Sequence, residues 1–276
     1  MAGVALADFS EVNANQAEIA GAFVAARHAG VALSAYPGDR PLDMCAAYQI
    51  QDLAIALDGR SVGAWKVGRI GPAAAEQLGA DRLVGPCFTA NIVPIATGDA
   101  VAMPIFPGGF AAVEAELMLH VAAGGRGVPP VDNAQAKLMI DEVRLGIEVA
   151  GSPYAAINDD GATVIASDFG NNGGIVLGAR LEGWQDMDLN AIQVRMEIDG
   201  AEVGVGSAAT MLDGPYGAVR FLLGNLSQRG IDWSGGLWVS TGAITGVHAL
   251  GVGQRARAIF DDLGVVSCRT IAAGPL

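Results

Sequence analysis

The sequence predicts an α+β fold, a β-sandwich or roll preceded by a small helical part. Three observations predict it. Apolar residues at helical spacing are confined to the first third of the chain. From about residue 86 the pattern changes to short strands separated by turn residues. Those strands outnumber the later helices and do not follow a βαβ rhythm, which argues against a parallel α/β sheet. The predicted division is therefore 1–85, helical, and 86–276, β-rich and carrying the site.

The elements follow in order. Ser10 is placed to cap a helix running toward His28, with Gly30 just past its end. Pro41 opens a second helix, with Leu42, Cys45, Ala46, Ile50 and Leu53 on one face, stopping near Asp58-Gly59. A strand is expected at Ser61–Val67 and a short helix at Pro72–Leu78, ended by Gly79. Further strands are expected at Asn91–Ile95, Ala111–Val121, Val143–Ala150, Gly174–Leu177, Gln193–Ile198, Leu237–Ser240, Ala256–Phe260 and Val265–Ile271. Asp199-Gly200 is a two-residue hairpin signal, with Val194, Met196 and Ile198 before it and Val203 and Val205 after. Two helices interrupt the strands, near Asp132–Ile140 and Gly217–Gln228.

Composition narrows the functions. The chain has 276 residues and is 51% hydrophobic, enough for a large core and incompatible with disorder. A net charge of −13 argues against nucleic acid and anionic membranes as partners. An anionic ligand then needs local positive charge. Three scattered cysteines without a CxxC pair suit a reducing compartment. The start shows no signal-peptide pattern, and no stretch of about 18 apolar residues occurs. A cytoplasmic protein is expected, and its apolar strands suggest a homo-oligomer.

Glu114 and Glu116 stand in the otherwise apolar run Ala111–Leu119, and Glu148 in Val143–Ala150. In a strand, residues i and i+2 share a face, so the first two aim their carboxylates at one spot. An alternating Glu pair is also what a strand's wet face carries. Here Leu117, Met118 and Leu119 follow without a polar break, as in strands buried on both faces. Three buried carboxylates repel one another unless a cation lies between them. Hard oxygen ligands select Mg²⁺ or Mn²⁺ before Zn²⁺. Lys66, between Trp65 and Val67, is either a solvated edge lysine or a cation for an anionic substrate and a proton carrier. Asp168, Asn171 and Asn172 lie in a Gly-rich loop, where their side chains either turn the chain or meet a substrate oxygen. Thr241 and Gly242 present a hydroxyl and an amide to a carboxylate, or simply turn the chain. His120 continues the parity of Glu116 but lies about 13 Å further along a strand.

These motifs resemble a known family. Ala47-Tyr-Gln-Ile-Gln51, Gly63-Ala-Trp-Lys-Val-Gly68, Val113-Glu-Ala-Glu116, Gly146-Ile-Glu-Val-Ala-Gly-Ser152, Asp168-Phe-Gly-Asn-Asn-Gly-Gly174 and Thr241-Gly-Ala-Ile-Thr-Gly246 run in family order across nearly the whole chain. The chain resembles the fumarylacetoacetate hydrolase superfamily, in its 2-keto-4-pentenoate hydratase and 4-oxalocrotonate decarboxylase branch. The resemblance implies a mixed β-sandwich roll with a small helical N-terminal part. It implies Mg²⁺ or Mn²⁺ on Glu114, Glu116 and Glu148 and a catalytic Lys66. The substrate implied is a small anionic 2-hydroxy-2,4-dienoate or its 2-keto tautomer. Water is added to give a 4-hydroxy-2-ketoacid in aromatic catabolism. Close relatives decarboxylate 4-oxalocrotonate, and distant ones hydrolyse acylpyruvates with a His and Glu three residues apart. None of His28, His120 and His248 has such a partner, which disfavours the hydrolase. Hydratase relatives carry an acid in the segment Asp81–Gly85; here Leu83 or Val84 takes its position and Asp81 is displaced. Asp81 and Asn171 are thus the catalytic candidates beside Lys66. Asp168, Asn172, Thr241 and Gly242 are the candidates for substrate binding.

Overall fold

The caps written into the sequence set the first helices. A computed structural model describes residues 13–96, 100–125 and 127–276, and the Ser10 cap lies outside them. Helix α1 (Ala14–Ala29) begins at Asn13, whose side chain accepts from the Gln16 amide at 2.8 Å while the Gln16 side chain accepts in return. It ends on left-handed Gly30. Helix α2 (Met44–Asp58) starts three residues later than Pro41, because Asp43 supplies the cap, and ends on Gly59. This start leaves Leu42 91% exposed. Met44, Ala47, Tyr48, Ile50 and Ala54 form the buried face instead.

The remaining elements are β1 (Val62–Arg69), α3 (Pro72–Leu78), β2 (Arg82–Phe88), β3 (Ile92–Pro94), β4 (Ala100–Ile105), β5 (Phe110–Val121), α4 (Asn133–Leu138), β6 (Ile140–Ser152), α5 (Ala162–Ser167), β7 (Asn172–Arg180), β8 (Gln193–Ile198), β9 (Ala201–Ser207), α6 (Gly214–Gln228), β10 (Leu237–Ser240), β11 (His248–Ala249), β12 (Arg255–Phe260) and β13 (Gly264–Ala272). Eight strands form one sheet in the order β2-β1-β10-β5-β6-β7-β3, with β11 added beside β5. Five form a second, in the order β4-β13-β12-β8-β9. Both sheets are mixed: β1 with β10, β3 with β7 and β4 with β13 are parallel, and the other pairs are antiparallel. Residue 85, the expected division, falls inside β2, and β1 and β2 both belong to the large sheet. The Asp199-Gly200 hairpin forms between β8 and β9, with both residues at positive φ (50° and 84°).

The two sheets share one core. Val113, Ala115, Leu117 and Leu119 of β5 and Leu145, Ile147 and Val149 of β6 enter it from the large sheet. Met103, Met196, Ala258, Phe260, Val266 and Cys268 enter it from the small one. The even-numbered face of β5 is buried as well, and carries Glu114, Glu116 and Met118. A second apolar cluster, built on Phe23, Ile50, Phe88, Ile157 and Phe169, locks α1 and α2 against the segment 153–171. That segment forms one wall of the site.

Candidate metal and substrate site

The site begins with the register of two central strands. Glu114 of β5 lies directly across from Glu148 of β6, and Glu116 lies across from Gly146. Residue parity and cross-strand pairing therefore deliver three carboxylates to one face. Oxygens of Glu114, Glu116 and Glu148 lie within 4.8 Å of one another, and all three residues are buried.

Two of the three carboxylates are held by hydrogen bonds, each differently. The Ser240 hydroxyl and the Gly242 amide, the latter at 3.0 Å, both donate to Glu116 Oε2. The Asn172 side-chain amide donates to Glu148 Oε1 at 2.8 Å. Two oxygens, Glu116 Oε1 and Glu148 Oε2, are buried without a hydrogen-bond partner. Lys66 of β1 approaches Glu148 Oε2 at 3.5 Å, a charge contact too long for a good hydrogen bond. Its ammonium donates instead to Asn171 Oδ1 at 3.0 Å.

The electrostatics follow from this crowding. Burial pushes the Glu114 carboxyl up to about 7, Lys66 opposes the rise and Glu148 adds to it. Burial, then repulsion from Glu148 and Glu114, holds Glu116 well above the usual carboxylate range. Burial disfavours the charge on Lys66, yet the attraction of Glu148, Glu114 and Glu116 outweighs it and raises its pKa. Orphaned buried oxygens in an all-carboxylate donor set fit a hard divalent cation.

Of the three carboxylates, Glu114 opens onto a cavity of about 600 Å³, with Glu116 and Glu148 fully buried behind it. Lys66, Glu114, Asn158, Asn171 and Thr241 contribute to its polar lining together with Arg69 and Arg82, and Ile165, Met211 and Ile244 contribute to its apolar lining. The structure thus brings together Lys66, Asn171, Thr241, Gly242 and the three glutamates. Asn172 stands behind them, its side chain turned to Glu148. The Thr241 hydroxyl, at the cavity wall, donates to the Leu117 carbonyl at 2.8 Å.

Two expected residues stand elsewhere. Asp168 is fully buried and does not line the cavity; it accepts from Arg27 and, at 2.6 Å, from the Ser152 hydroxyl. Its oxygens face Arg27 and Ser152 and not the cavity. Asp81 lies beyond the start of β2, half exposed beside Arg82, and lines a different groove of about 790 Å³ between α2, α3 and α6. The cationic groups in that groove are already neutralised, Arg229 by Asp52 and Arg82 by Asp81 and Asp213. His120 pairs with Asp141 at 2.6 Å, at the far end of β5 from Glu114.

Sequence reasoning missed Arg27 and Asn158. Arg27 has a signal: it continues the buried Ile19, Phe23 stripe of α1 at i+4, where a charged residue needs a buried partner. Asn158 sits in the loop before α5 and has none.

No protein-family model matches the chain. It is 31% identical over 132 residues to 4-oxalocrotonate decarboxylase of Pseudomonas putida, covering 48% of this chain. The chain therefore spans half the length of that relative. It is 26% identical over 242 residues to 2-keto-4-pentenoate hydratase of Burkholderia vietnamiensis, covering 81% of this chain and 85% of the relative. In structure it is similar to 4-oxalocrotonate decarboxylase from Pseudomonas putida G7, complexed with calcium and acetate, with a TM-score of 0.75 and 23% identity over 93% of this chain and 97% of the other. At that identity the likeness speaks for the fold, and the expected mixed β roll is borne out. So is the resemblance to the hydratase and decarboxylase homologues.

Proposed function

We propose, from this homology and this geometry, that the chain is a divalent-metal-dependent lyase. It adds water across the distal double bond of a 2-hydroxy-2,4-dienoate, or its 2-keto-4-enoate tautomer, to give a 4-hydroxy-2-ketoacid. One observation carries the reading: three buried carboxylates converge beside a buried lysine, and Glu114 and that lysine line a cavity that also has apolar residues.

Glu114, Glu116 and Glu148 would hold Mg²⁺ or Mn²⁺, which when bound supplies positive charge to polarise the keto acid's oxygens. Three carboxylates and a dication leave one net negative charge, which Lys66 cancels, so an anionic acid approaches a neutral centre. Lys66 then holds the acid's carboxylate as a point charge, kept in place by Asn171. Ser240 and Gly242 fix Glu116, and Asn172 fixes Glu148, so that these carboxylates are not free to turn away. Ile165, Met211 and Ile244 surround the acid's hydrocarbon chain and limit the water that reaches it. The test is to supply 2-hydroxypenta-2,4-dienoate with Mg²⁺ and follow loss of the diene absorbance. Equal rates in the wild type and a Glu114→Ala/Glu116→Ala variant would exclude this mechanism.

One observation favours a second reading, decarboxylation of a 4-oxalocrotonate-type acid. Among the described residues no carboxyl outside the glutamate trio lines the cavity, since Asp81 lies in the other groove. Addition of water calls for a group that activates the water and takes its proton, whereas loss of CO₂ sends the electron pair of the broken carbon–carbon bond into the dienolate, which takes a proton from solvent and needs no activated water. Release of CO₂ from 4-oxalocrotonate, without uptake of water, distinguishes the two.

A further inference from the structure

A run of three polar side chains leads from the buried cation to the cavity. Lys66 Nζ donates to Asn171 Oδ1 at 3.0 Å, and Asn171 Nδ2 donates to Asn158 Oδ1 at 2.9 Å. The oxygen and nitrogen ends of an amide are hard to tell apart by shape, so polarity must come from the network. Here it does. An ammonium has three donors and no acceptor, so Asn171 must turn its oxygen to Lys66. Its NH₂ then points to Asn158, which must answer with its own oxygen. The NH₂ of Asn158 is left with no protein partner among the described residues, on a residue that lines the cavity.

Both ends of the run stand on packed backbone, and Asn158 itself is exposed at the cavity. Asn171 is buried in a left-handed conformation (φ 54°). The loop bearing Asn158 is fixed by fully buried Ile157 and by Tyr154, whose hydroxyl donates to Asp160 at 2.6 Å. Arg40 also pairs with Asp160, at 2.6 Å.

We propose that Asn158 is a substrate-binding residue whose side-chain amide donates to an oxygen of the 2-keto acid head, with Lys66, acting through Asn171, fixing that polarity. The proposal rests on the reading of this cavity as a keto-acid site. It makes the site selective for ligands that present acceptors at this point, with donors from Lys66 and Asn158 in the same cavity.

The experiment measures binding rather than turnover, with Mn²⁺-loaded protein and 2-oxopentanoate, a saturated keto acid with no double bond to hydrate. Calorimetry gives the affinities of the wild type, of Asn158→Asp and of Asn158→Leu. The aspartate keeps the acceptor for Asn171 and loses the donors; the leucine keeps the shape without either, and without added charge. The expected result is affinity for 2-oxopentanoate weakened at least about tenfold in both variants, from loss of a hydrogen bond to a charged acceptor, with Mn²⁺ affinity within about twofold of wild type. Wild-type affinity in Asn158→Leu overturns the proposal while leaving the keto-acid reading intact. Parallel loss of Mn²⁺ binding also overturns it, by making Asn158 a support for the glutamates. Failure of the wild type to bind 2-oxopentanoate overturns the keto-acid reading and this proposal together.

Discussion

Arg27 and Asp168, 141 residues apart, form a buried two-point ion pair, with Nε 2.5 Å from Oδ1 and Nη2 2.9 Å from Oδ2. The same guanidinium donates to the carbonyls of Asn172 at 3.0 Å and Gly151 at 2.9 Å. One side chain from the first helix thus ties together the end of β6, the start of β7 and Asp168, near the end of the segment that joins them. Those backbones carry Asn171 and Asn172. Arg27→Ala strands the Asp168 charge and leaves two carbonyls short of a donor. A loss of about 3–5 kcal/mol in stability is expected from breaking such a pair, read as a fall in the urea midpoint. Arg27→Lys keeps the charge but not the fork, and is expected to recover only part of it.

Removal of metal should make stability fall with rising pH. Glu114 is raised from an ordinary 4.5 to about 7 in the fold, and Glu116 is raised as well. The folded state then binds protons that the unfolded state releases, so the contribution is present below about 4.5 and is lost as pH rises through about 7. Thermal melts in chelator are expected to show a lower midpoint at pH 7.5 than at pH 5.5. Added Mg²⁺ or Mn²⁺ should restore most at the higher pH, where the carboxylates are free to bind it. A midpoint that stays level across this window, with and without metal, would contradict the arrangement.

What could be read from the sequence was what repeats locally. The parity of Glu114 and Glu116 and the Asp199-Gly200 hairpin depend on neighbours two residues apart, and both appear in the structure as expected. Strands β2 and β4 went unread because Pro86 and Pro104 look like breakers. Each strand lies at the edge of its sheet, where a missing amide donor is tolerated. Helix α5 has six residues, too few to show a period. Asp168 looked like a ligand-facing loop residue because its partner, Arg27, is distant in the chain. The position of Asp81 was legible only as a displacement; which groove it faces depends on how β2 packs against the helices.

Glu116→Gln separates the metal from the fold. The amide oxygen still accepts from Gly242, but a neutral group replaces a buried carboxylate among two others. Loss of at least about a hundredfold in turnover is expected, as for removal of an essential group in a catalytic unit. Calorimetric titration should show Mn²⁺ affinity falling with it. In chelator the same variant is expected to be at least as stable as the wild type at pH 7.5, because desolvating an amide costs less than desolvating a charge. A variant that both binds Mn²⁺ normally and turns over normally would remove Glu116 from the site.

Gly85 is directly opposite Lys66 in the β1–β2 pair, and its α-carbon is packed against the Phe169–Gly170 turn. A Cβ there would lie 2.0 Å from the Phe169 carbonyl oxygen and 2.7 Å from the Gly170 α-carbon. Both are backbone atoms, so the turn itself must shift, and Asn171 with it. Gly85→Ala is expected to cost about 1–3 kcal/mol by overpacking. It should lower activity by more than that stability loss explains, because Lys66 loses its acceptor. Gly21→Ala is the control: its Cβ meets nothing within 4 Å in the middle of α1. It is expected to stabilise the protein by about 0.5–1 kcal/mol through backbone entropy. Chemical denaturation of the two variants, read beside their turnover, tests whether close packing at Gly85 is what holds Asn171 against Lys66.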